Sequence, residues 1–147
     1  MPDGLWTCPR CGARLISRNL AHSCGRFRLE DLFAGSTPET LEMAQRYVVM
    51  LHNLGDVQVL PQKTRLVCVA RVRFAGLEPR RRGFLVNFAL RRWVQSPRIV
   101  KTVEYGPRWR FHYVRVAEAS DLDDQLAGWL QESHDTVGVQ DDQRRVD

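Results

Sequence analysis

The sequence predicts an α+β fold: a small N-terminal zinc-finger-like module, then an antiparallel β-meander of four or five strands packed with flanking helices. Three observations carry this. Three of the four cysteines and one histidine fall between Cys8 and Cys24. Capped amphipathic patterns occupy the stretch from Ser36 to Gly55 and the stretch after Ser120. Between those patterns, from Asp56 to Ala117, the apolar period changes to two, the repeat of a half-buried strand. The implied organisation is a zinc-binding finger or knuckle over residues 1–26, an α+β domain over 27–134, and a disordered tail over 135–147.

The N-terminal string Trp6-Thr7-Cys8-Pro9-Arg10-Cys11-Gly12 is a tight metal-binding turn. Pro9 stiffens it, and Gly12 permits the positive φ expected after the second thiolate. His22-Ser23-Cys24 supplies the remaining ligands. The predicted set is Cys8, Cys11, His22 and Cys24 around a structural Zn²⁺, because four protein ligands close a tetrahedral shell and leave no position for a catalytic water. Two residues on a helix are about 200° apart, so His22 and Cys24 require a chain reversal and not a regular helix. A hairpin from Trp6 to about Leu15 is expected beneath the metal, with Leu15 and Leu20 as its small core. The competing reading, a Cys8–Cys11 redox pair, lacks the strand-then-helix context of thioredoxin-type sites. Cys68 lies in an apolar alternating run and reads as a small buried hydrophobe.

Residues 26–33 read as a short helical connector that Leu29, Leu32 and Phe33 dock. In the helix that follows, Ser36 is the expected cap, with Pro38 in the first turn and Glu39 completing a capping box. Leu41, Ala44, Val48, Leu51 and Leu54 form its apolar stripe, and Gly55 is the expected left-handed end. Val57 and Val59 start the strand region, and Pro61 marks an edge. Thr64–Phe74 reads as one strand, with Gly76 to Gly83 as the turn after it. Phe84–Arg92, Arg98–Tyr105 and Trp109–Ala117 are three more strands, separated by Ser96-Pro97 and Gly106-Pro107. The last helix begins at Ser120 or Asp121, with Leu122, Leu126, Trp129 and Leu130 on its apolar side.

The chain has 147 residues and a net charge of +5, distributed unevenly. Residues 55–118 hold fourteen Lys or Arg against four acids, whereas residues 119–147 hold two Arg against eight acids. A basic stripe is what a polyanion-binding surface needs. The candidate nucleic-acid contacts are Arg10, Arg14 and Arg18 on the finger, with Arg80, Arg81, Arg82, Arg91, Arg92, Arg98, Lys101, Arg108 and Arg110 on the sheet. Trp93 and Trp109 are interleaved with them as stacking surfaces. Two alternatives stay open: the acidic segment neutralises the basic one within the molecule, or the zinc module docks another protein.

Lys63, Lys101, Glu104 and His112 are the conceivable catalytic groups, but the lysines read more simply as solvated residues at strand ends and His112 as a hydrogen-bonded sheet histidine. Carboxylates in the basic segment are scattered, and no phosphate-cradling glycine loop or nucleophile elbow occurs, so catalysis is not expected. No apolar run approaches the ~20 residues of a membrane span, and no secretory signal opens the chain, which leaves a cytoplasmic address as the expectation.

The zinc module, Leu29–Phe33, Leu54-Gly55, Pro61-Gln62-Lys63-Thr64 and Arg73-Phe74-Ala75-Gly76-Leu77-Glu78-Pro79-Arg80 together resemble a zinc-finger-bearing member of the domain-of-unknown-function family numbered 5655. The resemblance continues through Phe84–Leu90, His112-Tyr113-Val114-Arg115 and Trp129-Leu130, over roughly residues 6–133. It implies a small bacterial α+β domain and carries over no catalytic residues.

Overall fold

A computed structural model describes residues 5–15 and 24–140. Two short strands, β1 (Trp6–Thr7) and β2 (Arg14–Leu15), pair as the expected hairpin, with Trp6 opposite Leu15. A single helical turn, α1 (Leu29–Leu32), follows. Helix α2 (Pro38–His52) is capped by Thr37, whose Oγ1 accepts the Thr40 N–H at 3.2 Å. The sequence had pointed to Ser36. Thr37 wins because Pro38, fixed near helical φ, occupies the first helical position, which puts the cap on the residue before it.

Six strands form the main sheet: β3 (Gln58–Pro61), β4 (Leu66–Val69), β5 (Arg73–Pro79), β6 (Phe84–Leu90), β7 (Ile99–Tyr105) and β8 (Trp109–Val116). All neighbouring pairs are antiparallel, in the order β3-β4-β5-β6-β8-β7. This corrects the expected four- or five-stranded meander in three places. The stretch read as one strand, Thr64–Phe74, is split by a tight reversal at Ala70–Val72, where the Ala70 N–H donates to the Val72 carbonyl at 3.2 Å. Gly76, read as a turn glycine, lies inside β5: a Cβ there would collide with the Leu66 carbonyl of the neighbouring strand.

The third departure is the position of β8 between β6 and β7. Strands β6 and β7 therefore run parallel to each other, and residues 91–98 must return along the length of the sheet to connect them. That crossover lies against β8, where the Val94 N–H donates to Nε2 of His112 at 3.1 Å.

The helices cover one sheet face. Phe84, Val86, Phe88 and Leu90 point toward them and are fully buried. Phe33 meets Phe84 edge-on at 5.8 Å, and Trp129 stacks on Phe88 at 5.5 Å. The deepest residues of α2 are Ala44, Tyr47 and Leu51. Tyr47 reaches the backbone of β5, where its hydroxyl donates to the Gly76 carbonyl at 2.8 Å. Each large apolar side chain so buried contributes about 1.5–3 kcal/mol. The opposite face bears Asn87, Phe111 and Tyr113, covered by their own neighbours: Arg73 lies over Phe111 at 5.1 Å and Lys101 over Tyr113 at 4.5 Å.

A 3₁₀ turn (Ala119–Asp121) leads into α3 (Asp124–Ser133), capped by Asp123 through the Leu126 N–H at 3.0 Å. Residues 135–140 are not the start of a disordered tail. His134–Gly138 form a π-helical turn that seats Val137 fully in the core. The Gly138 carbonyl accepts the N–H groups of Arg71 and Val72 at 2.7 and 3.0 Å, closing the β4–β5 reversal. Residues 141–147 lie outside the described residues. No described helix is long and apolar enough to cross a membrane.

Candidate metal centre

The turn between β1 and β2 is fixed by backbone bonds. Cys8 N–H donates to the Ala13 carbonyl at 2.8 Å, and Gly12 N–H donates to the Cys8 carbonyl at 2.9 Å. Gly12 takes φ +79°, the left-handed conformation expected after Cys11. These bonds fold the Cys-x-x-Cys segment so that both thiols point to one side. Cys24 comes from the far end of the module, at φ +55°, followed by Gly25 at φ +75°. Two consecutive positive φ values turn the chain at Cys24–Gly25, while the reversal expected at His22–Cys24 lies partly outside the described residues.

The thiols of Cys8, Cys11 and Cys24 all lie within 4.8 Å of one another. Cys8 and Cys24 are 3.8 Å apart, Sγ to Sγ. Tetrahedral zinc with Zn–S bonds near ~2.3 Å sets its sulfurs about 3.8 Å apart, so the observed edge fits that ion. Electrostatics agree. Burial and hydrogen bonds with Cys8 and Cys11 push the Cys24 thiol up to about 11. Crowded thiols hold their protons in this way until a cation arrives, and a bound Zn²⁺ deprotonates coordinating thiols outright. The three cysteines can therefore hold a metal ion, while Cys68 is buried in β4, where burial alone raises its pKa well above the usual thiol value. His22, the expected fourth ligand, and Arg18, a candidate phosphate contact, lie outside the described residues.

The module is pinned to the edge of the main sheet. Arg14 makes a two-pronged ion pair with Asp56 at 2.8 and 3.0 Å, and its backbone N–H donates to Oε1 of Gln58 at 2.7 Å. Arg14 is thus a brace, and the same guanidinium holds the Asp56 carboxyl below the usual range. A small cavity lined by Cys11, Cys24, Phe27, Leu60 and Pro61 marks where the cysteine cluster abuts β3.

The other basic candidates divide into two groups. Arg92 forms a two-pronged pair with Glu132, both contacts at 2.8 Å. Arg98 reaches Asp123 at 2.8 Å and the Asp121 carbonyl at 2.8 Å. Arg91 donates to the Thr136 carbonyl at 2.9 Å, and Arg110 to the Arg91 carbonyl at 2.8 Å. These four tie the crossover, β8 and the C-terminal helix together, so part of the acidic C-terminal segment neutralises part of the basic one within the molecule. Lys101 stacks on Tyr113, and Arg108 lies over Trp109 at 5.6 Å.

Strand order places the β3–β4 turn (residues 62–65) and the β5–β6 turn (residues 80–83) at one end of the sheet. Arg80, Arg81 and Arg82 are exposed there, Arg80 being paired with Glu78 at 2.9 Å. Trp93, Arg108 and Trp109 lie at the other end, with Trp93 half exposed beneath Arg110. The two tryptophans are therefore not interleaved with the turn arginines. Nor do Lys63, Lys101 and His112 converge: Lys63 is in the β3–β4 turn, Lys101 is on the face away from the helices, and His112 is buried on the helix face.

The family model for the domain of unknown function DUF5655 matches residues 29–137. The chain belongs to that family. The match begins after the cysteine module and ends inside the π-helical turn, so it coincides with the sheet and its helices. No curated protein and no solved structure matches the chain.

Proposed function

We propose that this DUF5655 protein is a zinc-stabilised, non-catalytic nucleic-acid-binding accessory module of a reducing, cytoplasmic compartment. Cys8, Cys11 and Cys24 hold the metal, with His22 as fourth ligand, and the metal's task is structural. The observation that carries this reading is the thiol cluster seated against a sheet edge whose adjoining turns carry cations in excess of acids. The metal would rigidify the module beside the β3–β4 and β5–β6 turns, and Arg10, Arg80, Arg81 and Arg82 would meet phosphates.

The test has two readouts. Purified protein is expected to carry one zinc per chain. Filter binding to mixed-sequence DNA and RNA at about 50 mM salt is expected to show micromolar affinity, with log K falling by ~0.7–0.9 per contacted phosphate as log salt rises. Protein without stoichiometric metal removes the first half of the reading, and absence of binding at that salt removes the second.

The exposed Trp93 supports a second reading, a protein-interaction module, because aromatic anchors dominate binding hot spots. Pull-down before and after nuclease treatment separates the two: a partner that survives digestion favours protein.

A further inference from the structure

Where the cysteine module meets the turn end of the sheet, the surface folds into a cleft of about 670 Å³. Four of its lining residues are cations, Arg26, Lys63, Arg65 and Arg80, and one is a carboxylate, Glu78. The segment that joins the module to α1 supplies Arg26 and Phe27, the single aromatic among the lining residues, and the sheet turns with the end of β5 supply the rest. Two of the cations are already oriented. Arg65 Nε donates to Oε1 of Gln62 at 3.0 Å, and Arg80 is held by Glu78 and by the Pro79 carbonyl, both at 2.9 Å. Lys63 is exposed in the turn.

Glu78 is occupied by Arg80, so Lys63 and Arg65 have no carboxylate among the residues that line the cleft. Like charges crowded this way repel, and the same field reaches Arg73, where burial and then the nearby Arg65 lower the guanidinium's proton affinity. A carboxylate ligand would offset one charge. A terminal phosphate carries about −1.5 to −2 and offers three strong acceptor oxygens to Arg and Lys donors. The aromatic wall argues for a ring attached to that phosphate, because every nucleobase can stack on an aromatic face.

We propose that the cleft binds the phosphate of a nucleotide, with Lys63, Arg65 and Arg80 on the phosphate and Phe27 against the base. The nucleotide is either the 5′-phosphorylated end of a nucleic-acid strand or a free mononucleotide. The first source deepens the nucleic-acid reading above and rests on it, whereas the second stands without it.

The experiment uses the full zinc-loaded chain at about 50 mM salt. A short 3′-labelled single-stranded oligonucleotide with a 5′-phosphate is compared with its 5′-hydroxyl counterpart by anisotropy, and AMP with adenosine by calorimetry. The phosphorylated member of each pair is expected to bind at least about tenfold tighter, as a charge-assisted contact requires. Lys63→Ala/Arg65→Ala should abolish that difference and Lys63→Ala alone should reduce it, while Arg46→Ala, on the exposed side of α2, leaves it intact. AMP binding without oligonucleotide binding assigns the cleft to free nucleotides and sinks the nucleic-acid reading. Oligonucleotide binding that ignores the 5′-phosphate and the Lys63 and Arg65 changes, with no AMP binding, overturns the cleft while the nucleic-acid reading survives. No binding of any probe overturns both.

Discussion

The Val94 N–H donates to Nε2 of His112 at 3.1 Å, and this bond ties the middle of the crossover directly to β8, which lies between β6 and β7. The other ring nitrogen, Nδ1, sits 3.1 Å from the Arg110 carbonyl. A carbonyl can only accept, so Nδ1 carries the proton and Nε2 is the acceptor. The imidazole is neutral in the fold, and protonation would destroy the acceptor.

Burial, reinforced by Arg92 and Arg110, lowers the pKa of His112 below its ordinary 6.5. The unfolded chain therefore binds more protons in the window between the two values. Stability from this group is complete above about pH 6.5 and falls as the pH drops through the lowered folded-state value. Denaturant midpoints measured from pH 7.5 to pH 5 should decline over that range, before carboxylates such as Glu132 begin to protonate. His112→Phe should flatten this decline and cost about 1–3 kcal/mol at neutral pH by leaving the Val94 N–H unpaired. A decline that persists unchanged in the variant would assign the pH response to another group.

The C-terminal turn gives a second prediction. A Cβ on Gly138 would meet the Phe74 ring at 2.7 Å and the Ala70 side chain at 3.3 Å. Gly138→Ala should therefore destabilise by about 1–3 kcal/mol, the usual cost of overpacking. Truncation after Ser133 should do more, because it removes the buried Val137 and leaves the Arg71 and Val72 N–H groups without their shared acceptor. Wild-type stability in the truncated chain would place 134–140 outside the folding unit.

These sites show what a single sequence makes legible. The Cys8–Cys11 turn, the positive φ of Gly12 and the amphipathic faces of α2 and α3 are local properties, set within a few residues of chain. Gly76 was misread because its reason is non-local: the carbonyl of Leu66, ten positions earlier, leaves no room for a side chain. The crossover was invisible for the same cause, since nothing in residues 91–98 states that His112 will accept their backbone. Charge counting found the basic segment but could not separate Arg92 and Arg98, consumed by Glu132 and Asp123, from the turn cations. In the sequence Lys63 stands apart from the basic candidates, and only the fold brings it beside Arg26 and Arg65.

Metal removal supplies a third prediction. None of the buried module residues Leu5, Cys8, Ala13 and Leu15 belongs to the main core cluster. Chelation, or Cys8→Ser or Cys24→Ser, should release zinc and expose the module to protease while residues 29–137 keep their cooperative unfolding transition. Cys68→Ala should retain full zinc, because that thiol is buried away from the cluster. Loss of the whole domain's transition on chelation would mean that the module is integral to the main core.

The arginine braces and the turn cations should separate in a single salt titration. Arg92 and Arg98 already hold carboxylates at 2.8 Å, and Arg98 also packs 5.9 Å from the centre of the Trp129 ring. Arg92→Ala and Arg98→Ala should each cost stability, by about 0.5–1 kcal/mol for such partly exposed pairs, and leave the salt dependence of nucleic-acid binding alone. Arg81→Ala and Arg82→Ala should behave oppositely. Both residues are exposed in the β5–β6 turn, so their loss should leave the melting temperature nearly unchanged while lowering the slope of log K against log salt by ~0.7–0.9 for each phosphate contact removed. A steeper loss of slope from the Arg92 or Arg98 variants than from the turn variants would move the polyanion surface to the crossover side of the sheet. The ion pairs with Glu132 and Asp123 would then have to open for nucleic acid to bind.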